Sequence, residues 1–560
     1  MEQNKENSHC AYIPKISRFW LFFLVPVLFI SFFYQLGAYG LLNNNEGLYG
    51  EIAREMLESG SYIIPTLNYV PYIEKPPLLY WLIAISYKIF GVNEFAARLI
   101  PALSGAAICG SIFVFARRLK MIDVGGFAAV IMATSLGYII FSRMVFFDGL
   151  LTAFLSLSLL SFYTWYNGGQ RLFLLLCYGF LGCAVMVKGF VAPVLFGLVV
   201  GGFLLWERAF WSKLRKCLDP IGILIFVAIV LPWHLWASLE EEGFSWFYFI
   251  NEHVLRFLDL REPKDYYTGP LYYYIPRILG YVFPWTPFLG LLALRTQPSQ
   301  EVLKKFLWLW FLVPLAFFSL SKAKANYYMI VGIVPMCLLV SMKITELLKD
   351  NRWCPILVCG LLSVFLGLVL WGGAYFFPIK GFEIYQPKSP YLLFFVAILS
   401  VLGMSLFYIK RQGIFMLFSV AAISGGLFIT ILGSAQQAED FFSGKEVGSF
   451  LASKDEVYFY KNYEELSSIV FYLKKPVTIV DSVSSDLRYG EEKGDSNRFC
   501  DSAQMLKEYE NRPREEIYMV VHKKSLHDFQ NSFLKTKFNI LFSKENIFVL
   551  ERTDLPKKEL

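Results

Sequence analysis

From its first tens of residues to about residue 433, the chain alternates between apolar runs and short polar connections. A helix rises 1.5 Å per residue, so about 20 apolar residues span a hydrocarbon core of about 30 Å. Runs on that scale lie at 19–37, 97–116, 123–140, 149–166, 171–187, 189–206, 219–237, 272–293, 305–320, 327–346, 355–377, 390–409 and 413–433, about thirteen in all. The first follows Lys15 and Arg18 as a signal peptide would, but it is long enough to span and no small-residue cleavage site follows. It reads as an uncleaved helix behind a polar tail at 1–17. The run 78–90, LLYWLIAISYKIF, is short for a crossing and reads as an interfacial or re-entrant helix.

Beyond residue 434 the pattern changes. Short β-rich pieces at 457–460, 477–480, 517–521 and 547–550 alternate with helix-like pieces at 463–473 and 501–510. This predicts a soluble α/β domain over 434–560, with a structural or acceptor-positioning role, behind a transmembrane domain over 1–433.

Composition agrees with a polytopic membrane protein: 56% hydrophobic, 18% aromatic and 17% charged. The net charge of +7 matters less than where the charges fall. With a cytoplasmic N-terminus, the cytoplasmic connections collect Arg117-Arg118-Lys120, Arg171, Arg208 to Lys216, Arg295 to Lys305, Lys343 to Arg352, and Lys410-Arg411. The opposite face then holds the 38–96 loop, Asp148, Lys188, the 238–271 loop, Ser321-Lys322-Ala323-Lys324 and the C-terminal domain. No basic tract interleaved with aromatics suggests nucleic acid, and no Gly-rich phosphate loop suggests a nucleotide. The nine cysteines are scattered singly and support neither a disulfide framework nor a CxxC metal site.

The candidate chemistry gathers on that opposite face. Glu46 and Asp148 are carboxylates at a membrane boundary, where solvation or helix capping is the plain alternative to function. Glu74-Lys75-Pro76-Pro77 joins an acid and a base to a stiff exit, although an interfacial turn with a surface ion pair would look the same. Glu51, Arg54, Glu55 and Glu58 have helical spacing that any solvated helix uses, with Arg54 the most plausible exception. His253 could join Glu74 at a metal or could simply hydrogen-bond. Lys188, Lys322 and Lys324 could snorkel, but lysines on this face run against the positive-inside trend and suit a bound phosphate. Chemistry outside the cytoplasm calls for a donor already activated in the membrane, such as a polyprenyl-phosphate-linked sugar.

The run EGLYGEIAREMLESGSYIIPTLNYVPYIEKPPLLYW resembles the first outer loop of the bacterial aminoarabinose transferases. These are lipid A glycosyltransferases related to the protein O-mannosyltransferases and share the GT-C fold. Asp148, Met186-Val187-Lys188-Gly189, Glu252-His253-Val254-Leu255-Arg256-Phe257 and Ser321-Lys322-Ala323-Lys324 add to the resemblance. It implies inverting transfer of a sugar from a polyprenyl phosphate to lipid A, at the periplasmic face of a bacterial inner membrane. Glu46 and Asp148 would match the acidic site residues, and Lys75 would hold the donor phosphate. Tyr49, Tyr72, Lys188, Arg256, Lys322, Lys324 and Tyr327 would line the cavity, while Glu74 and His253 match positions that can bind zinc. Where the family has Asp-Glu-x-Arg-Tyr-Ala-Glu, this chain has Asn45 and Leu48 at the Asp and Arg positions. A protein hydroxyl as acceptor, or a lipid-linked sugar flippase, are the rival expectations; the flippase would predict internal repeats and mid-membrane charges.

Overall fold

The computed structural model describes residues 20–553 apart from 21, 209, 265–267, 296–299, 377–389, 494–496 and 513–515. The expected tail at 1–17 lies outside the described residues. Among the described residues, nine helices are long and apolar enough to cross a membrane. A tenth span forms if Ile122–Ala133 and Leu136–Arg143, bent by 65°, count as one. The chain is a multi-pass membrane protein.

The count differs from about thirteen because several apolar runs are broken or short. At the bend, the Thr134 and Ser135 hydroxyls donate back to the Val130 and Ile131 carbonyls, and Ser135 turns extended. The 272–293 run divides into Tyr274–Tyr281 and a 3-10 stretch, Thr286–Ala293. Pro284 and Pro287 fall in or just after that break, where a missing N–H weakens a helix. Phe22–Phe33 and Val191–Trp206 are apolar but shorter than a full crossing. Leu78–Phe90 buries Leu79, Tyr80, Ile83 and Tyr87, packing beside Asn45–Ser59, and leaves Ile85, Ile89 and Phe90 exposed.

Phe147–Tyr166 packs against Glu94–Arg118 and Arg171–Lys188 and, like Tyr328–Lys349, is almost wholly covered. Pro220–Glu240 instead leaves Leu224, Leu235 and Trp236 bare, as a lipid-facing helix does. Polar residues 43–77 form the helix Asn45–Ser59 and a small hairpin of β1 (Thr66–Leu67) and β2 (Val70–Pro71).

The C-terminal region builds a six-stranded sheet from β3 (Glu456–Tyr460), β4 (Thr478–Val480), β5 (Phe499–Cys500), β6 (Ile517–His522), β7 (Phe538–Lys544) and β8 (Ile547–Arg552). Its order is β5-β4-β3-β6-β8-β7, parallel through β6 and antiparallel thereafter. Helices such as Ser467–Leu473 and Ser502–Asn511 fill the crossovers, the latter begun by a capping box of Asp501 and Gln504.

This sheet domain docks directly on the 43–77 segment, so both lie on one face of the membrane. Asn68 exchanges two hydrogen bonds with the Val477 backbone, each 2.9 Å. Asn43 accepts from the Ser468 hydroxyl at 2.7 Å, and the Asn44 N–H donates to the Glu464 carbonyl at 3.0 Å. Gly47 lets the two surfaces touch: a Cβ there would stand 2.5 Å from the Ser468 nitrogen.

Candidate active site

The site is built on two short stretches that the outer loops bring together. One is Glu74-Lys75 before the stiff Pro76-Pro77 entry to the helix Leu78–Phe90. The other is a π-helical turn, Trp246–Leu255, whose wide coil carries Glu252 and His253. Glu252 is buried and meets three cations: Arg256 at 2.9 Å, Lys75 at 3.6 Å, and Arg261 in direct contact. Arg261 also reaches Glu74 at 2.7 Å, and Lys75 lies 3.4 Å from the other Glu74 oxygen. Burial alone would push the Glu252 carboxyl up, but the charges of Arg261, Lys75 and Arg256 outweigh it and hold it down at about 2. Among the described residues, three cations thus face two carboxylates.

Asp148, in the first turn of Phe147–Tyr166, accepts from the Lys188 ammonium at 2.6 Å. Lys188 ends its helix over the Tyr328 ring, 4.2 Å from the centroid. The next residue, Gly189, has φ +73, and a Cβ on it would lie 2.2 Å from His253 Nε2. Only glycine combines that backbone with that approach.

Two adjoining cavities share these cations. The larger, about 470 Å³, is an apolar groove walled by Val191, Val194, Phe257, Phe317 and Phe318, and Lys75, Lys188, His253 and Arg256 also line it. The smaller, about 120 Å³, is a polar chamber reached by Lys75, Lys188 and Arg256, with Asp148, Tyr49 and Tyr327 on its walls. Tyr327 stacks on Phe146 at 4.8 Å. Lys324 also lines the chamber, but its ammonium caps the helix Glu301–Leu320 by donating to the Phe318, Ser319 and Ser321 carbonyls.

Other expected site residues lie elsewhere. Glu46 does not line the chamber. It is fully buried in a two-pronged pair with Arg98 at 2.9 and 2.7 Å and accepts from the Leu42 and Val145 N–H groups. Its neighbour Asn45 faces the chamber instead. Arg54 is committed within its own segment, to Glu51, Glu58 and Tyr69. Lys322 is exposed and pairs with Asp259 at 3.4 Å, away from both cavities. Tyr72 stands behind the wall, its hydroxyl 3.4 Å from Glu74.

Glu74 and His253 do not fit a metal as they are arranged. His253 Nδ1–H donates to the Tyr248 carbonyl at 2.6 Å, so Nε2 is the acceptor for the Phe190 N–H at 3.1 Å. Both Glu74 oxygens are engaged by cations, and among the described residues no three His, Cys, Asp or Glu side chains cluster as ligands.

Sequence reasoning missed Arg98, Arg261 and the contribution of the C-terminal domain. Glu464, Ser485 and Asp486 all line the polar chamber. Arg98 carried a signal, being a charge at the edge of an apolar span. Arg261 and Asp486 sit in ordinary polar loops and carried none.

Residues 74–236 match the family described as dolichyl-phosphate-mannose-protein mannosyltransferase. The chain is 30% identical over 387 residues to the undecaprenyl phosphate-α-4-amino-4-deoxy-L-arabinose arabinosyl transferase of Pseudomonas paraeruginosa, covering 68% of this chain and 67% of the relative. A second transferase of that name from Pseudomonas fluorescens Pf-5 is 31% identical, with 61% of this chain and 60% of the relative aligned, so the chain spans less than two thirds of that protein. In structure it is similar to ArnT from Cupriavidus metallidurans bound to undecaprenyl phosphate, with a TM-score of 0.80 and 22% identity. That match covers 95% of this chain and 98% of the other, and it shows the GT-C fold. The chain belongs to the undecaprenyl phosphate-aminoarabinose arabinosyl transferase family.

Proposed function

We propose that this protein is an inverting glycosyltransferase that moves 4-amino-4-deoxy-L-arabinose from undecaprenyl phosphate to lipid A. The observation that carries this reading is the junction of an apolar groove with a cationic chamber through Lys75, Lys188 and Arg256. A polyprenyl chain suits the groove, its phosphate suits the shared cations, and the sugar then projects into the chamber. The relatives' names supply the sugar and the lipid carrier. The site and the C-terminal domain face the periplasm of a bacterial inner membrane, in keeping with the basic residues gathered at the other ends of the spans.

The bond between the sugar's C1 and the donor phosphate oxygen breaks, and its electron pair leaves with the polyprenyl phosphate. Lys75 and Arg256 neutralise the charge that grows on that oxygen. An acceptor oxygen bonds to C1 from the opposite side, which inverts the configuration. A lipid A phosphate is already anionic and needs positioning rather than deprotonation. Were the acceptor a hydroxyl, Asp148 would be the carboxylate placed to take its proton.

Purified protein in nanodiscs, given undecaprenyl phosphate-linked aminoarabinose and lipid A, should yield lipid A heavier by one aminopentose in mass spectra. Lys75→Ala should lower the rate about a hundredfold or more, as loss of a group that stabilises transition-state charge does. Absence of product with the parent protein overturns the proposal.

A further inference from the structure

The polar chamber is closed on one side by a loop of the C-terminal domain, and that loop is held with unusual care. The Glu464 Oε1 atom accepts from the Ser484 hydroxyl at 2.7 Å, from the Ser485 N–H at 2.8 Å and from the Asp486 N–H at 3.2 Å. Ser484 in turn accepts from the Leu487 N–H. The segment itself is moored, because the Glu464 carbonyl binds Asn44 on the membrane-side loop. The Asp486 backbone is therefore fixed while its carboxylate is left for something else.

The charges around the chamber show what is missing. Lys188 is paired with Asp148, Lys75 with Glu74 and Glu252, Arg256 with Glu252, and Arg261 with both glutamates. Among the described residues, the Asp486 carboxylate has no hydrogen bond or ion pair. Burial pushes its carboxyl well up, and the charges of Glu74 and Glu464 push it further, with Arg261 and Lys75 offsetting part. Arg261 and Lys75 make their direct ion pairs with Glu74 and Glu252 instead, so neither pairs with this carboxyl. Position adds to this: Lys75, Lys188 and Arg256 line both cavities, whereas Asp486 lines only the chamber. A lipid phosphate held by the shared cations would point its sugar toward Asp486. The chamber, about 120 Å³, has the scale of one monosaccharide ring.

We propose that Asp486, set in place by Glu464, is a specificity-determining residue that receives the protonated amine of the transferred sugar. This rests on the donor being a polyprenyl-phosphate-linked sugar. The ammonium would supply a directly paired cation, and a neutral amide in its place would leave the Asp486 carboxyl without a charged partner.

The intact protein in nanodiscs is given undecaprenyl phosphate-linked 4-amino-4-deoxy-L-arabinose or its N-acetylated form, with lipid A as acceptor, and rates are followed across donor concentration. The parent should prefer the free amine about tenfold or more, mainly through KM, as a charge-assisted hydrogen bond made in the bound state requires. Asp486→Asn should bring the two donors close to equal while still binding undecaprenyl phosphate as the parent does. Glu464→Gln, which loosens the loop, should weaken the preference in the same direction. Should Asp486→Asn fail to bind undecaprenyl phosphate, Asp486→Ser takes its place under the same criteria. A variant that binds the lipid phosphate normally and keeps the full preference overturns the inference and leaves the donor reading intact. A parent protein that transfers neither sugar overturns the donor reading, and the inference falls with it.

Discussion

Replacing Glu252 with glutamine keeps the shape of the side chain and removes the one negative charge that Arg261, Lys75 and Arg256 share. The carboxyl sits at about 2 in the folded protein against an ordinary value of 4.5. That depression marks the pairing with the three cations as a stabilising contribution to the fold. Because the folded value is depressed, this contribution is present above pH 4.5 and disappears as pH falls toward about 2. Glu252→Gln should therefore lower thermal stability near neutral pH by roughly 3 kcal/mol, the scale seen when one partner of a buried pair is removed. The three cations it leaves behind should welcome an anion more than before. Thermal denaturation in detergent, with and without undecaprenyl phosphate, reads both effects: the variant starts lower and gains more from the lipid phosphate. An unchanged midpoint, together with an equal gain in both proteins, would show that Glu252 does not organise the cation cluster.

Glu46→Gln should reduce the yield of folded protein while leaving the rate per folded molecule unchanged, because its partner Arg98 holds the first loop against the membrane domain; purified yield and kcat decide this. Gly189→Ala should weaken undecaprenyl phosphate binding about tenfold or more, because a Cβ would collide with His253 beside the groove; a binding titration checks it. Glu55, buried next to the Glu51 charge, is pushed up to about 8, so its stabilising protonated form is complete below pH 4.5 and lost as pH rises through about 8. Glu55→Gln should match the parent in thermal midpoint at pH 5 and exceed it at pH 9.

Much of this was legible because the membrane makes charges conspicuous. Asp148, Lys75 and Lys188 stand beside apolar runs, where an ion is costly unless something faces it, Arg256 came from the family resemblance, and the structure gathers all four around one chamber. The strands at 457–460, 477–480, 517–521 and 547–550 announce themselves by β-branched and aromatic residues. The signal is ambiguous where it has two causes. Glu46 and Asp148 look alike as boundary carboxylates, but Glu46 has Arg98 52 positions along the chain, and no local pattern reveals so distant a partner. The polar faces of Arg54 and Lys322 gave no hint of which way they turn. Breaks inside apolar runs, such as the one at Thr134-Ser135, hide because hydrophobicity measures length and not continuity.

The mooring of the sheet domain onto the first loop has a consequence for the order of events in synthesis. Asn68 waits some four hundred positions for Val477, and the chamber lacks the wall supplied by residues 464–486 until that stretch has been made and settled. A nascent chain with every span inserted would still be an open cup, wet and unable to shield a sugar. Assembly itself thus acts as a safeguard, withholding reactivity until the late-made portion arrives.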